Sequence, residues 1–299
     1  MSKPIASTLW ALAIVALVGI TSCGSESAAP EVEEITLNES QNEDDGQREN
    51  SIKKIIYSIP SPTEMASLLM KSGVEFNLDL LNSVESADNY ATNDQRALNL
   101  GVYGADLRYT SMYEQDKQSI LYAATVKKLA SELGVEGAID DDLYQRLQEN
   151  SQNKDSLLTI VSNSYNDLDA YLKENDRQEI SALVIAGGWL EGMYLACAHY
   201  TEGNDLLRQR IAEQKYVLSD LISLMESYNK PDALSGIMSE LSDLNASFEK
   251  VDIQKGKTET SEDESGTTVI GGSRQVNISD ELLAEISDKI TQLRTKSIQ

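Results

Sequence analysis

The run ALVIAGGWLEGMYLACA at residues 182–198 decides the fold, because it is the least polar stretch beyond residue 22. It holds Trp189, one of the two cysteines and three glycines, and the only histidine, His199, follows at once. Its length falls short of the roughly 20 apolar residues that a bilayer span needs. Glu191 sits in its middle, where an acid costs about 2.5–3.5 kcal/mol on insertion scales. The flanking charges are Asp176, Arg177, Glu179 and Glu202, with no cationic bias. The stretch therefore reads as the central helix of a water-soluble bundle, apolar all round because other helices cover it.

A helix of this kind does not spend three glycines freely, since each costs about 1 kcal/mol against alanine. Close approach of a second backbone would require them. The predicted helix over 93–113, NDQRALNLGVYGADLRYTSMY, offers a matching surface in Ala97, Gly101, Gly104 and Ala105. The expectation is a crossing of these two helices at Gly101 and Gly104 against Gly188 and Gly192. Glu191, between Trp189 and Tyr194, must then pair, protonate or face a cavity, because a lone buried charge is prohibitive. Asp106 and Arg108 on the neighbouring helix are the candidate partners. Three readings follow: a satisfied Glu–Arg pair, a polar pocket lined by Asp106, Glu191, Tyr194 and His199, or a catalytic pair of Asp106 and Glu191.

Outward from this pair the periodicity stays helical. Ser61-Pro-Thr-Glu64 is a capping box opening a short helix that Gly73 closes. Further helices are predicted over 117–133, ended by Gly134, and near 154–174, 177–200, 204–228 and 231–252, with a short one after the acidic triplet Asp140–Asp142. Leu207, Ile211, Gln214, Leu218, Leu221, Met225 and Tyr228 repeat at alternating spacings of four and three. Leu234, Ile237, Leu241, Leu244, Phe248 and Val251 do the same, and a connection as short as Asn229-Lys-Pro231 makes the two helices antiparallel neighbours. Residues 254–266 read as a polar loop. Residues 267–278 read as two short strands about a Gly271-Gly272 turn, followed by a final helix behind Ser279. The predicted architecture is all-α: an antiparallel multi-helix bundle of about eight helices over 52–253, with a small C-terminal β-hairpin and last helix over 267–299 packed on it.

The first residues carry a different signal. MSKPIASTLWALAIVALVGITSC has one cation at Lys3, an apolar run, and Ile20-Thr21-Ser22 before Cys23. That pattern resembles the lipobox of bacterial lipoproteins, which implies a signal peptide over 1–22 and acylation at Cys23. Two or more acyl chains exceed the threshold for stable anchoring. Residues 23–51 are acidic and poor in apolar groups, so an extended tether is expected. The EF-hand echo in QNEDDGQRENSI fails, because Gln41 and Ile52 fall on the terminal ligand positions.

The formal net charge of −24 argues against nucleic acid as a partner. With Cys23 acylated, Cys197 has no disulfide partner and reads as a buried thiol. It stands about 200° around the helix from His199, so the two cannot form a Cys–His pair within it. No HExxH, GxSxG, phosphate loop or Cys/His cluster appears, so neither a catalytic residue, a metal site nor a cofactor is predicted. Thirteen tyrosines against two phenylalanines suit rings that pack between helices and hydrogen-bond at their tips.

YSIPSPTEMASLLMKSG (57–73), ALNLGVYGADLRY (97–109), NKDSLLTIVSNSY (153–165) and AGGWLEGMYLA (186–196) resemble a set of uncharacterised lipoproteins of the Bacteroidota. The resemblance covers about residues 52–228 and implies an envelope location and a helical fold. It transfers no catalytic residue. The role expected is a non-catalytic binding or interaction module with an envelope protein partner, lipid-anchored to the outer membrane on its periplasmic side or at the cell surface. The rival expectation is a protein that binds or processes a small ligand or glycan around Glu191.

Overall fold

A helix with no polar face needs neighbours on every side, and the segment around Glu191 has them. It forms α4 (Gln178–Ala198), in which every residue from Ile180 to Glu191 is buried. The computed structural model describes residues 74–299, apart from 136, 138–141, 143–144, 147–148, 151–152, 228–230 and 263–267. The described residues all belong to one compact unit. The leader, Cys23, the acidic tether, the capping box at 61–64, Tyr228 and most of the acidic triplet lie outside them.

Seven long α-helices and one β-ribbon follow in order among the described residues. After two short 3-10 turns, Leu78–Leu80 and Val84–Asn89, come α1 (Asn93–Met112), α2 (Asp116–Glu132) and α3 (Lys154–Glu174). Beyond α4 come α5 (Asp205–Glu226), α6 (Pro231–Phe248), the strands β1 (Asp252–Glu262) and β2 (Thr268–Asn277), and α7 (Asp280–Ser297). The all-α expectation with a small antiparallel sheet near the C-terminus is what the chain forms. Caps set several boundaries. Thr92 and Gln95 make a reciprocal capping box at α1, Asn153, Asn204 and Ser279 cap α3, α5 and α7, and Gly134 closes α2 at φ +64°.

The seam positions of α5 and α6 face inward as their spacing demands. Leu207, Ile211, Gln214, Leu218, Leu221 and Met225 are buried, as are Leu234, Leu241, Leu244 and Phe248. Gln214 earns its place in that stripe by accepting the Trp189 indole N–H at 3.2 Å. α4 packs against α1, α3, α5, α6 and α7.

One pair breaks the antiparallel expectation. Contacts between α1 and α4 rise together along both helices, Leu98 with Gly187 and Asp106 with Glu191, so these two run parallel. α7 runs against both: Asn99 meets Ser297 while Arg294 meets Glu191.

The C-terminal ribbon also differs from expectation. Residues 254–262 are not loop but most of β1, paired antiparallel with β2 from Asp252↔Asn277 to Glu262↔Thr268. Gly271 and Gly272 are no turn; they lie opposite Glu259 and Thr258. A register shift between Lys255 and Thr258 leaves β1 one residue longer than its partner there. A two-stranded ribbon needs no apolar face along most of its length, so a Thr-rich polar alternation suffices and carries no hydrophobic signature. The base is tied down: Ile253 and Val276 pack on the core and Ile278 is buried.

A buried carboxylate–arginine centre as candidate functional site

The helix crossing is where expected, with different glycines in contact. A Cβ on Gly101 would lie 2.0 Å from the Val184 carbonyl oxygen and 2.6 Å from the Gly188 nitrogen. One on Gly187 would lie 1.8 Å from the Leu98 carbonyl oxygen. Backbone therefore touches backbone, and only glycine fits at 101 and 187. Gly104 and Gly192 have no such neighbour within 4 Å, so the crossing uses Gly187 where Gly192 was expected. Parallel helices bring 98–101 against 184–188 and then diverge enough to admit side chains at 106 and 191.

Those side chains form the centre. Glu191 is fully buried and pairs not with Arg108 but with Arg294 of α7. Arg294 donates from Nε to Glu191 Oε2 and from Nη2 to Oε1, both at 2.9 Å. Its Nη2 also donates to the Leu80 carbonyl at 3.0 Å, and its guanidinium lies 4.5 Å from the Tyr194 ring centroid. A bidentate guanidinium with a further acceptor and an aromatic face is well satisfied for a buried cation. Arg108 is half-buried and takes no part in this contact.

Asp106 completes the centre as a second fully buried carboxyl. Its Oδ2 accepts the Asn82 N–H at 3.1 Å, whereas Oδ1 receives no donor. Asp106 and Glu191 lie within hydrogen-bonding reach of each other. Two ionised carboxylates could not share this space with one cation. Burial, reinforced by the Glu191 charge, pushes Asp106 well above the usual carboxylate range. Burial also raises Glu191, with the Arg294 hydrogen bonds pulling the other way. The consistent assignment is a neutral Asp106 beside an ionised Glu191 held by Arg294. The net charge of the three groups is then zero, which is how a buried ionic cluster avoids most of its desolvation cost.

Around the centre the tyrosines strap an irregular segment to the helices. Residues 74–90 have little regular structure, so their backbone needs other partners. Tyr103 donates to the Ser83 carbonyl at 2.6 Å, Tyr122 to Asn82 at 2.9 Å and Tyr113 to Val74 at 3.3 Å. Asn82 also donates through Nδ2 to the Tyr90 hydroxyl at 2.9 Å. Burial raises the Tyr103 and Tyr122 hydroxyls above their ordinary range, and Tyr113 to about 12. These hydroxyls stay protonated and act as permanent donors.

His199 does not join the centre. It caps the C-terminal end of α4, is buried, and bonds through Nε2 to the Tyr109 hydroxyl at 2.9 Å. Tyr109 Oη accepts the Asn77 N–H at 3.1 Å, and Nε2 is the neighbouring acceptor that keeps the tyrosine's own proton partnered, an assignment that puts the imidazole hydrogen on Nδ1. Of the predicted pocket residues, Asp106, Glu191 and Tyr194 converge, and His199 belongs to a separate aromatic cluster. Cys197 is buried, its thiol pushed up to about 12 by burial, which leaves it unreactive.

Arg294 and Asn82 escaped the sequence reading. Arg294 had a signal: it follows Ile290 by four residues, on the stripe of Leu283, Ile286 and Ile290, where a cation needs a buried anion. Asn82 had none, because its role is set by a non-helical backbone. No group of histidine, cysteine and carboxylate side chains suited to a metal occurs among the described residues. Compared with family models, curated proteins and solved structures, the chain finds no match.

Proposed function

We propose that this protein is a lipid-anchored component of a bacterial envelope whose helical body serves as a non-catalytic binding or interaction module. The observation that carries the second half is the commitment of Glu191: it is fully buried, and both its oxygens are taken by Arg294. An acid used in catalysis must reach substrate, and this one is held in place as a structural ion. The first half rests on Ile20-Thr21-Ser22-Cys23 behind an apolar run, on the acidic stretch that follows, and on the resemblance to Bacteroidota lipoproteins. The proposed location is the outer membrane, on its periplasmic side or at the cell surface. The strongly acidic composition favours a partner that is a protein rather than a nucleic acid.

Metabolic labelling with a palmitate analogue tests the anchor. Wild type should take up label and Cys23→Ala should not, while globomycin should make a labelled, uncleaved precursor accumulate. Equal labelling of wild type and Cys23→Ala, or no label on either, would overturn the anchor. In-cell crosslinking tests the interaction role: one envelope protein recovered reproducibly supports it, and recovery of bulk porins alone counts against it.

A further inference from the structure

The first described residues of the body are fastened to α1 by two tyrosines, Tyr113 at the Val74 carbonyl and Tyr109 at the Asn77 N–H, and one imidazole backs Tyr109. Phe76 stacks on Tyr109 at 5.4 Å between ring centroids and lies 5.8 Å from Tyr113. Tyr109 in turn stacks on His199 at 5.8 Å, with 25° between the planes. Through this stack runs one directed chain of hydrogen bonds, from the Asn77 N–H to Tyr109 and from Tyr109 to His199 Nε2. That direction requires a neutral imidazole, since Nε2 must accept.

We propose that His199 is an acid-sensitive latch: its protonation reverses the Tyr109 bond, releases residues 74–77 from α1, and uncovers the Phe76–Tyr109–Tyr113 rings. The proton balance is simple. The imidazole takes one proton from solvent at Nε2, so Nε2–H becomes a donor. Tyr109 Oη must then accept from His199, and its own proton loses its acceptor. In a buried cluster that proton has nowhere to go while the Asn77 bond and the ring stack persist. The neighbours do not favour an imidazolium. On α1, Tyr109 and Tyr113 have hydroxyls raised by burial, and Asp106, one turn earlier, is held neutral. On the strap itself Glu75 and Asp79 are exposed. Beside His199, Cys197 is a protonated thiol, and Tyr200 binds Arg208, which is itself paired with Asp280. Burial accordingly lowers the imidazole below its ordinary range.

The test uses the full-length protein in detergent, followed by hydrogen exchange at pH 7.5 and pH 5.0 with intrinsic rates corrected. Peptides covering 74–77 should lose protection at least tenfold at the lower pH, while peptides from 183–191 should not. His199→Gln, which accepts a hydrogen bond but does not titrate in this range, should abolish the difference. Tyr109→Phe keeps the ring and should leave 74–77 loose at both values. Because the chain has one histidine, its imidazole resonance is unambiguous by NMR. It should report the Nδ1–H tautomer and titrate below the free value. Equal protection of 74–77 at both pH values, the same loss in His199→Gln, or an imidazole titrating at or above about 6.5 would each overturn the latch.

Discussion

Arg294 reaches Glu191 across 103 residues of sequence and closes two hydrogen bonds of equal length on it. The pair ties α7 to α4, and through the Leu80 carbonyl it ties both to the strap. Breaking it from either side leaves an uncompensated buried charge.

Arg294→Met should therefore destabilise the protein by about 3–5 kcal/mol, and Glu191→Leu by a similar amount. The double variant should recover much of the loss, because a buried ion pair is often replaceable by apolar groups of similar volume. Chemical denaturation of the three variants checks this. Additive losses in the double variant would show that the two residues do not act as a pair.

Asp106 carries a sign that can be read against pH. Its carboxyl is raised in the folded state, so the folded protein binds more protons than the unfolded one above the ordinary carboxylate range. Its contribution is complete at pH below about 3.9 and diminishes as pH rises toward the folded value. Asp106→Asn reproduces the neutral acid, with its oxygen accepting from Asn82. That variant should match or exceed wild-type stability at pH 8, whereas Asp106→Leu should lose about 1–3 kcal/mol through the orphaned Asn82 N–H. Melting temperatures of both variants across pH 5–9 decide the matter, and a marked loss in Asp106→Asn would reject the neutral assignment.

The glycines divide into two classes. Gly101→Ala and Gly187→Ala drive a methyl into the facing backbone and should each cost at least about 1–3 kcal/mol. Gly104→Ala and Gly192→Ala meet open space and should be neutral or gain up to about 1 kcal/mol from helix propensity. Urea midpoints of the four single variants would show the split.

The tyrosine straps should behave as ordinary single hydrogen bonds. Tyr103→Phe and Tyr122→Phe should each lose about 1 kcal/mol, with hydrogen exchange accelerated in 82–83 more than in α4. Uniform acceleration everywhere would mean that the hydroxyls support the whole core rather than the strap.

Much of this fold was legible because its helices obey simple periodicity. The seams at Leu207–Met225 and Leu234–Phe248, the start of α7 behind Ser279, and the contact between α1 and α4 all follow from spacing and residue type. The centre was half legible. Glu191 and Asp106 announced themselves as acids in apolar surroundings, but Arg108, near in sequence to Asp106, was a false partner. Sequence proximity says which helix a residue rides on, not which way its side chain turns. The true partner came from α7, which packs on both α1 and α4. The ribbon was misread because the sequence of its first strand, 252–262, is polar and carries no apolar alternation to mark it. The strap of 74–90 was unreadable for a similar reason, since its conformation is imposed by hydroxyls that belong to other elements.

The placement of Arg294 also governs the order in which this molecule can be finished. The six long helices that precede α7 among the described residues must all be synthesised before the guanidinium that neutralises their interior exists. Until then Glu191 has no counter-ion, and the contact of α1 with α4 encloses an acid that water holds more favourably. Early compaction is thereby penalised, and the unfolded form persists until α7 is available.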